Sequence, residues 1–176
     1  MSVQRTADRE PQPWRNGRGV QYEITANGPV PDGWTWKLST ADITEDVPFS
    51  SFPGVSRQFC IAHGNGVTLT IDHVDHVCLP GSVTQFRGDA DVHARLLEGP
   101  VKALNLMTRR GDAARLQVVT EGESLGGGLV ATSIGNDSDV SVAGESVSLG
   151  VLDALLDLGG AELRVERGCV AILVRD

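Results

Sequence analysis

The residues of this sequence best able to do chemistry are cations, amides, an aromatic and one acid spread over its first two thirds: Trp14, Arg15, Asn16, Glu23, Lys37, Arg57, Asn105 and Arg109. An arginine grips a carboxylate with two parallel hydrogen bonds, and a lysine supplies a point charge. An asparagine both donates and accepts, and an indole covers a planar group. The set describes a pocket for a small acidic molecule, with Trp14, Asn16, Glu23, Lys37, Arg57, Asn105 and Arg109 as ligand-binding residues. The plainer reading leaves Arg15, Arg18, Arg109 and Arg110 in solvent and uses Trp14 to plug one barrel end.

Arg57 follows the aromatic-flanked turn Phe49 to Gly54 and precedes the apolar run Phe59 to Ala62. Its backbone is therefore fixed where loop meets strand. Its guanidinium either holds a ligand carboxylate while Asn16 or Asn105 orients the other end, or pairs with Glu23 to tie two strands together. Asn105 sits in the stretch Val92 to Arg110, which reads as a strand, a tight turn at Glu98-Gly99-Pro100 and a second strand, a central hairpin. Alternation from Val101 puts Asn105 on one face with Val101, Ala103 and Met107, so a buried Asn105 needs hydrogen-bond partners.

Other chemistries have less support. His73-Val74-Asp75-His76 has metal-ligand residue types, but successive strand side chains do not converge, and a polar hairpin tip is the expectation. No phosphate-binding glycine loop and no nucleophilic triad is present, and Gly144-Glu145-Ser146 lacks the nucleophile-elbow pattern. No catalytic residue, metal or cofactor is expected.

The elements that must position these side chains are short. Strands of four to eight residues, broken often by Gly and Pro, suit an all-β barrel or jelly roll. Candidates include Val20 to Ala26, in which Tyr22 and Ile24 oppose Gln21, Glu23 and Thr25, and Trp34 to Ile43 beyond a Pro/Gly turn at Asn27 to Gly33. Hairpins are expected at Asn65-Gly66 and at Arg167-Gly168, the latter between Ala161 to Glu166 and Cys169 to Val174. Val151 to Leu158 reads equally as a helical turn or as strand and turn, and Met1 to Pro13 as a loosely held arm.

With 176 residues, the expected division is a first lobe over 1–111 and a smaller second lobe over 112–176 that shares strands or apolar cover with it. The formal charge is -8 and the pI about 4.9, which argues against nucleic acid or an anionic membrane as partner. Residues 112–176 hold eleven acids and four bases, so nearly all of that charge is in the last third and the first part is free to hold a basic pocket. Cys60, Cys78 and Cys169 read as buried free thiols of a reducing cytosol, and no apolar leader or bilayer-length run stands out, so the expected location is cytoplasmic.

The motifs carry a resemblance. PWRNGRG at Pro13 to Gly19, Tyr22-Glu23-Ile24, WKLSTADI at Trp36 to Ile43, PFSSFPGVSR at Pro48 to Arg57 and GPVKALNLMTRRG at Gly99 to Gly111 resemble the HutD/Ves family. The resemblance implies a cupin-like double barrel (bicupin or jelly roll) and an association with histidine utilisation. It implies binding of a small acidic metabolite, such as urocanate or a formylated amino acid, to regulate or tune that process, with Asn16, Glu23, Arg57, Asn105 and Arg109 in the pocket. Arg18, Ser56 and Ala103 depart from the family pattern, and the H-x-H metal pattern of cupins is missing. A small metal-independent enzyme with Glu23 as acid/base, a protein-interaction module built on the acidic tail, and a homodimer all stay open.

Overall fold

Strand-forming residues punctuated by glycine turns build one kind of architecture throughout. The computed structural model describes residues 1–29, 33–109 and 111–175. Arg110 and the middle of the Asn27 to Gly33 turn lie outside the described residues. The regular elements described are strands apart from one 3-10 turn, Thr6–Asp8, so the chain is all-β. No helix among them is long and apolar enough to cross a membrane. The chain divides into two compact units, Glu10–Asp112 and Met1–Arg9 with Ala113–Asp176.

The Glu10–Asp112 unit packs two antiparallel sheets. One has the order Pro11–Pro13, Val20–Asn27, Trp36–Ile43, Val101–Arg109, Val55–His63, Val83–Arg87. The other has the order Val47–Pro48, Val92–Leu96, Val67–Ile71, Val74–Cys78. Phe59, Ile61, Leu69, Phe86 and Val101 fill the space between them. Val92–Leu96 buries Val92 and Ala94 and exposes His93 and Arg95, as period-two alternation requires of a strand with one inward face. Val101–Arg109 is buried on both faces, from Val101 through Thr108, with Lys102 half-buried. A bulge after Glu23 breaks the expected alternation of its strand: Glu23 lies opposite Ser39 while Thr25 lies opposite Leu38.

Three turns expected to close hairpins instead carry the chain between sheets. Val92–Leu96 bonds to Val47–Pro48 and Val67–Ile71, whereas Val101–Arg109 bonds to Trp36–Ile43 and Val55–His63. The strands flanking Asn65-Gly66 also sit in different sheets, as do Leu163–Arg167 and Cys169–Arg175 around Gly168. Turn residues report a reversal of the chain but not which edge the next strand joins. Gly64 and Gly66 serve close passage: a Cβ there would lie 2.7 Å from the Pro100 oxygen and 2.5 Å from that of Cys78. The true two-residue hairpins are Asp72-His73 (φ 45° and 71°) and Ala143-Gly144 (φ 51° and 84°), both with the left-handed pair of a type I′ turn. His73 is thus a hairpin tip.

The second unit repeats the scheme. Its sheets run Ser2–Gln4, Ala154–Leu156, Gly128–Ser133, Cys169–Arg175, Ala114–Thr120 and Ser124–Leu125, Leu163–Arg167, Ser138–Val142, Glu145–Leu149. The amino terminus is not a loose arm. Ser2–Gln4 pairs with Ala154–Leu156, Arg5 Nη1 meets Asp153 Oδ2 at 2.8 Å, and the Thr6 amide donates to Asp153 Oδ1 at 2.8 Å. Pro11–Pro13, the end of the same stretch, pairs with Val20–Asn27 in the other unit. Val151 to Leu158 resolves as turn and strand.

Candidate functional site

Cross-strand register gathers the site. Arg57 lies opposite Met107, Asn105 opposite both Phe59 and Ser39, and Lys37 opposite Met107 on its other side. Directly opposed residues in a sheet share a face, so Lys37, Arg57, Asn105 and Met107 project together, next to the apolar positions that form the core. They line a cavity of about 490 Å³ within the Glu10–Asp112 unit. Four cations, Arg15, Lys37, Arg57 and Arg109, belong to its wall, with no Asp or Glu among the described residues that line it. In a chain of charge -8, this is a concentrated positive site.

Arg57 is its centre. The side chain is 7% exposed. Its Nε and Nη2 both donate to Asn105 Oδ1 at 3.4 Å, and Nη1 donates to the Ser50 carbonyl at 3.4 Å. The rings of Phe49, Phe86 and Phe52 stand 4.9, 5.2 and 5.7 Å from its guanidinium carbon. Burial pulls its pKa down to about 10, so it stays charged near neutral pH. No carboxylate among the described residues pairs with it. Three long hydrogen bonds to neutral oxygens and three ring faces are weak compensation for a desolvated cation.

The loop from Trp14 to Gly19 closes one side. The Trp14 amide donates to Gly19 O at 2.9 Å and Gly17 N to Trp14 O at 2.9 Å, with Gly17 at φ 68°. The indole lies over Gly19, where a Cβ would come within 2.7 Å of the ring. Asn16 clasps the loop, donating to Pro48 O at 3.0 Å and accepting from Arg18 N at 3.1 Å. Trp14 meets Phe49 edge-on at 6.0 Å. The Phe49 to Gly54 loop is pinned by Phe49 N donating to Val92 O at 2.8 Å and Phe52 N to Gly88 O at 2.7 Å. Arg109 stacks on Trp34 with 4.6 Å between guanidinium carbon and ring centre, and Arg15 stacks on Phe52 at 5.0 Å.

Of the seven expected residues, Trp14, Lys37, Arg57, Asn105 and Arg109 line one cavity. Asn16 and Glu23 do not belong to its lining. Asn16 holds the loop instead, and Glu23 pairs with Lys37 at 3.7 Å rather than with Arg57. Gln12, Gln21, Trp34, Ser50, Phe49 and Phe52 line the cavity without having been picked out as site residues. Only the aromatic flanks of the 49–54 turn gave a sequence signal for any of them. The His73 and His76 region does not form a ligand cluster: no group of three or more His, Cys, Asp or Glu among the described residues converges on a metal position.

Comparison with known proteins identifies the lineage. The family model described as HutD matches residues 6–170. The chain belongs to the HutD family. A Pseudomonas putida relative, described as an uncharacterized 21.2 kDa protein in the hutC 3′ region, is 33% identical over 170 residues, covering 93% of this chain and 90% of its own. The solved HutD structure from Pseudomonas fluorescens SBW25 superposes with a TM-score of 0.79 at 33% identity, over 99% of this chain and 98% of that one. A cupin 2 conserved barrel domain protein from Leptotrichia buccalis is 9% identical with a TM-score of 0.62, over 99% of this chain and 96% of that one, which shows a cupin-like fold and nothing more. The HutD motifs now have physical content: PWRNGRG builds the Trp14 clasp, PFSSFPGVSR carries the rings and Arg57, and the 99–111 segment carries Asn105 and Arg109.

Proposed function

We propose that this HutD-family chain binds a small carboxylate of histidine utilisation, such as urocanate or a formylated amino acid, and tunes that process in the cytoplasm. The observation that carries this reading is Arg57, a buried cation in a cavity wall with no acidic partner among the described residues. A ligand carboxylate supplies the missing negative charge and accepts the guanidinium donors not used by Asn105 and Ser50. The cavity volume falls within the range of about 300–1,000 Å³ usual for small-molecule sites. The aromatic walls suit a ligand with a planar part. The description of the Pseudomonas putida relative, in the hutC 3′ region, supports the pathway, and three free thiols fit a reducing compartment.

Catalysis by Glu23 gains no support from a carboxylate that lies off the cavity lining and pairs with Lys37. Isothermal titration with urocanate and with an N-formyl amino acid tests the proposal. Saturable one-to-one binding of at least one acid, lost in Arg57→Gln, is expected. Absence of binding by both acids to the folded wild-type protein would refute it.

A further inference from the structure

Asn105, which lines the cavity, is also held inside the protein by Arg57. Its side chain is 5% exposed, and its single amide oxygen takes both Nε and Nη2 of Arg57 at 3.4 Å. This side of a guanidinium is one that a carboxylate commonly grips with two oxygens. Position 105 is therefore where a buried arginine's counter-ion would stand, and it holds the neutral amide nearly identical in shape to aspartate. The phenylalanine rings and the Ser50 carbonyl complete the surroundings of Arg57 without adding a negative charge.

We propose that Asn105 is the specificity-determining residue of the site: it fixes the orientation of Arg57 while leaving its charge uncancelled, so that the cavity selects an anion over a neutral molecule of the same shape. The inference rests on the carboxylate-binding reading and adds to it the residue that sets charge preference. Two physical requirements are met at once. An unsupported guanidinium on a strand would sample several rotamers and lose the geometry of a bidentate grip. A carboxylate at position 105 would hold it better but would neutralise the positive charge that the ligand needs, and would repel the ligand's own charge. An amide oxygen orients without neutralising. The register explains why this side chain reaches: Asn105 lies opposite Phe59, two residues along the neighbouring strand from Arg57 and on the same face.

The test is Asn105→Asp, titrated with urocanate and with urocanamide, its uncharged primary amide. The wild type is expected to prefer urocanate by about 100-fold or more, on the scale of two charge-assisted hydrogen bonds. N105D is expected to fold with an equal or higher melting temperature, to lose urocanate affinity by about 100-fold, and to bind the two compounds within about threefold of each other. A merely structural asparagine would not move that ratio. If N105D fails to fold, Asn105→Ser carries the test, because it shortens the polar side chain and adds no charge. It should weaken urocanate by about tenfold with the acid preference retained, and wild-type affinity in N105S would overturn the proposal. An N105D protein that keeps the wild-type preference for the acid also overturns it. Failure of wild type to bind urocanate overturns both this inference and the reading beneath it. Loss of binding in Arg57→Gln with unchanged preference in N105D overturns this inference alone.

Discussion

Glu23 and Lys37 meet across neighbouring strands, with Oε2 3.7 Å from Nζ, so the carboxylate considered as a partner for Arg57 pairs with the lysine instead. The two roles open to Arg57, strand tie through Glu23 or anchor for a ligand, are thereby separated in space. The cavity wall keeps its buried guanidinium, and the acid sits with the lysine.

Arg57→Lys is expected to stay folded and to weaken urocanate by about 1–3 kcal/mol, because an ammonium lacks the planar fork for two bonds. Melting temperature and affinity measured on the same preparation decide it. A large loss of stability with unchanged affinity in the folded fraction would assign Arg57 to the scaffold.

Glu23→Gln removes an ion pair of long separation whose side chains are mostly buried, 26% and 12% exposed, which predicts a stability loss of about 1–3 kcal/mol. Urocanate affinity should be unchanged or slightly raised, since Lys37 in the cavity wall gains effective charge. Titration showing a tenfold loss would place Glu23 on the ligand and revive its acid/base role.

Gly19→Ala sets a methyl group 2.7 Å from the Trp14 ring. The indole must move off the loop, at a cost of about 1–3 kcal/mol by the usual scale of overpacking. Trp fluorescence should shift and ligand affinity fall; a spectrum and an affinity equal to wild type would show that Trp14 has room to spare.

His73 occupies the second position of a type I′ turn at φ 71°. His73→Gly should raise stability by about 0.5–1 kcal/mol, and His73→Ala should lower it, as neither space nor ligand but backbone conformation decides the site. Affinity for urocanate should not change in either. Thermal unfolding in the presence and absence of a chelator, with identical midpoints, would fit a turn residue; a chelator effect abolished by these variants would restore a metal role.

Asp153 links pH to the second unit. Burial pushes its pKa up, but hydrogen bonds from Arg5, Thr6 and the Gly150 amide outweigh this and hold it below the ordinary 3.8. A carboxylate with a depressed folded-state pKa stabilises fully above its unfolded value and loses that contribution as pH falls through the folded one. The loss should therefore appear below about pH 4, and Asp153→Asn should be less stable at neutral pH by about 1–2 kcal/mol, with a shallower acid limb. Unfolding midpoints between pH 6 and pH 2.5 compare the two; parallel acid limbs would remove Asp153 from the account.

The sequence was sufficient for the all-β class, for most strand positions, and for five residues that line one cavity. Period-two alternation and Gly/Pro breaks are local signals, and motif resemblance marks which polar residues travel together. Asn105 is an instance: a lone amide on an apolar face demanded a partner, and Arg57 is that partner. What the sequence could not reveal was which strand lies beside which. The turns at Glu98-Gly99-Pro100, Asn65-Gly66 and Arg167-Gly168 look like hairpins because reversal is local, yet the pairing that follows depends on which sheet edge is vacant, a property of the assembled sandwich. The same limit governs charge pairing. Distance along the chain does not say which cation Glu23 meets, and only the register that sets it opposite Ser39, next to Lys37, leaves Arg57 buried and without an acid beside it among the described residues.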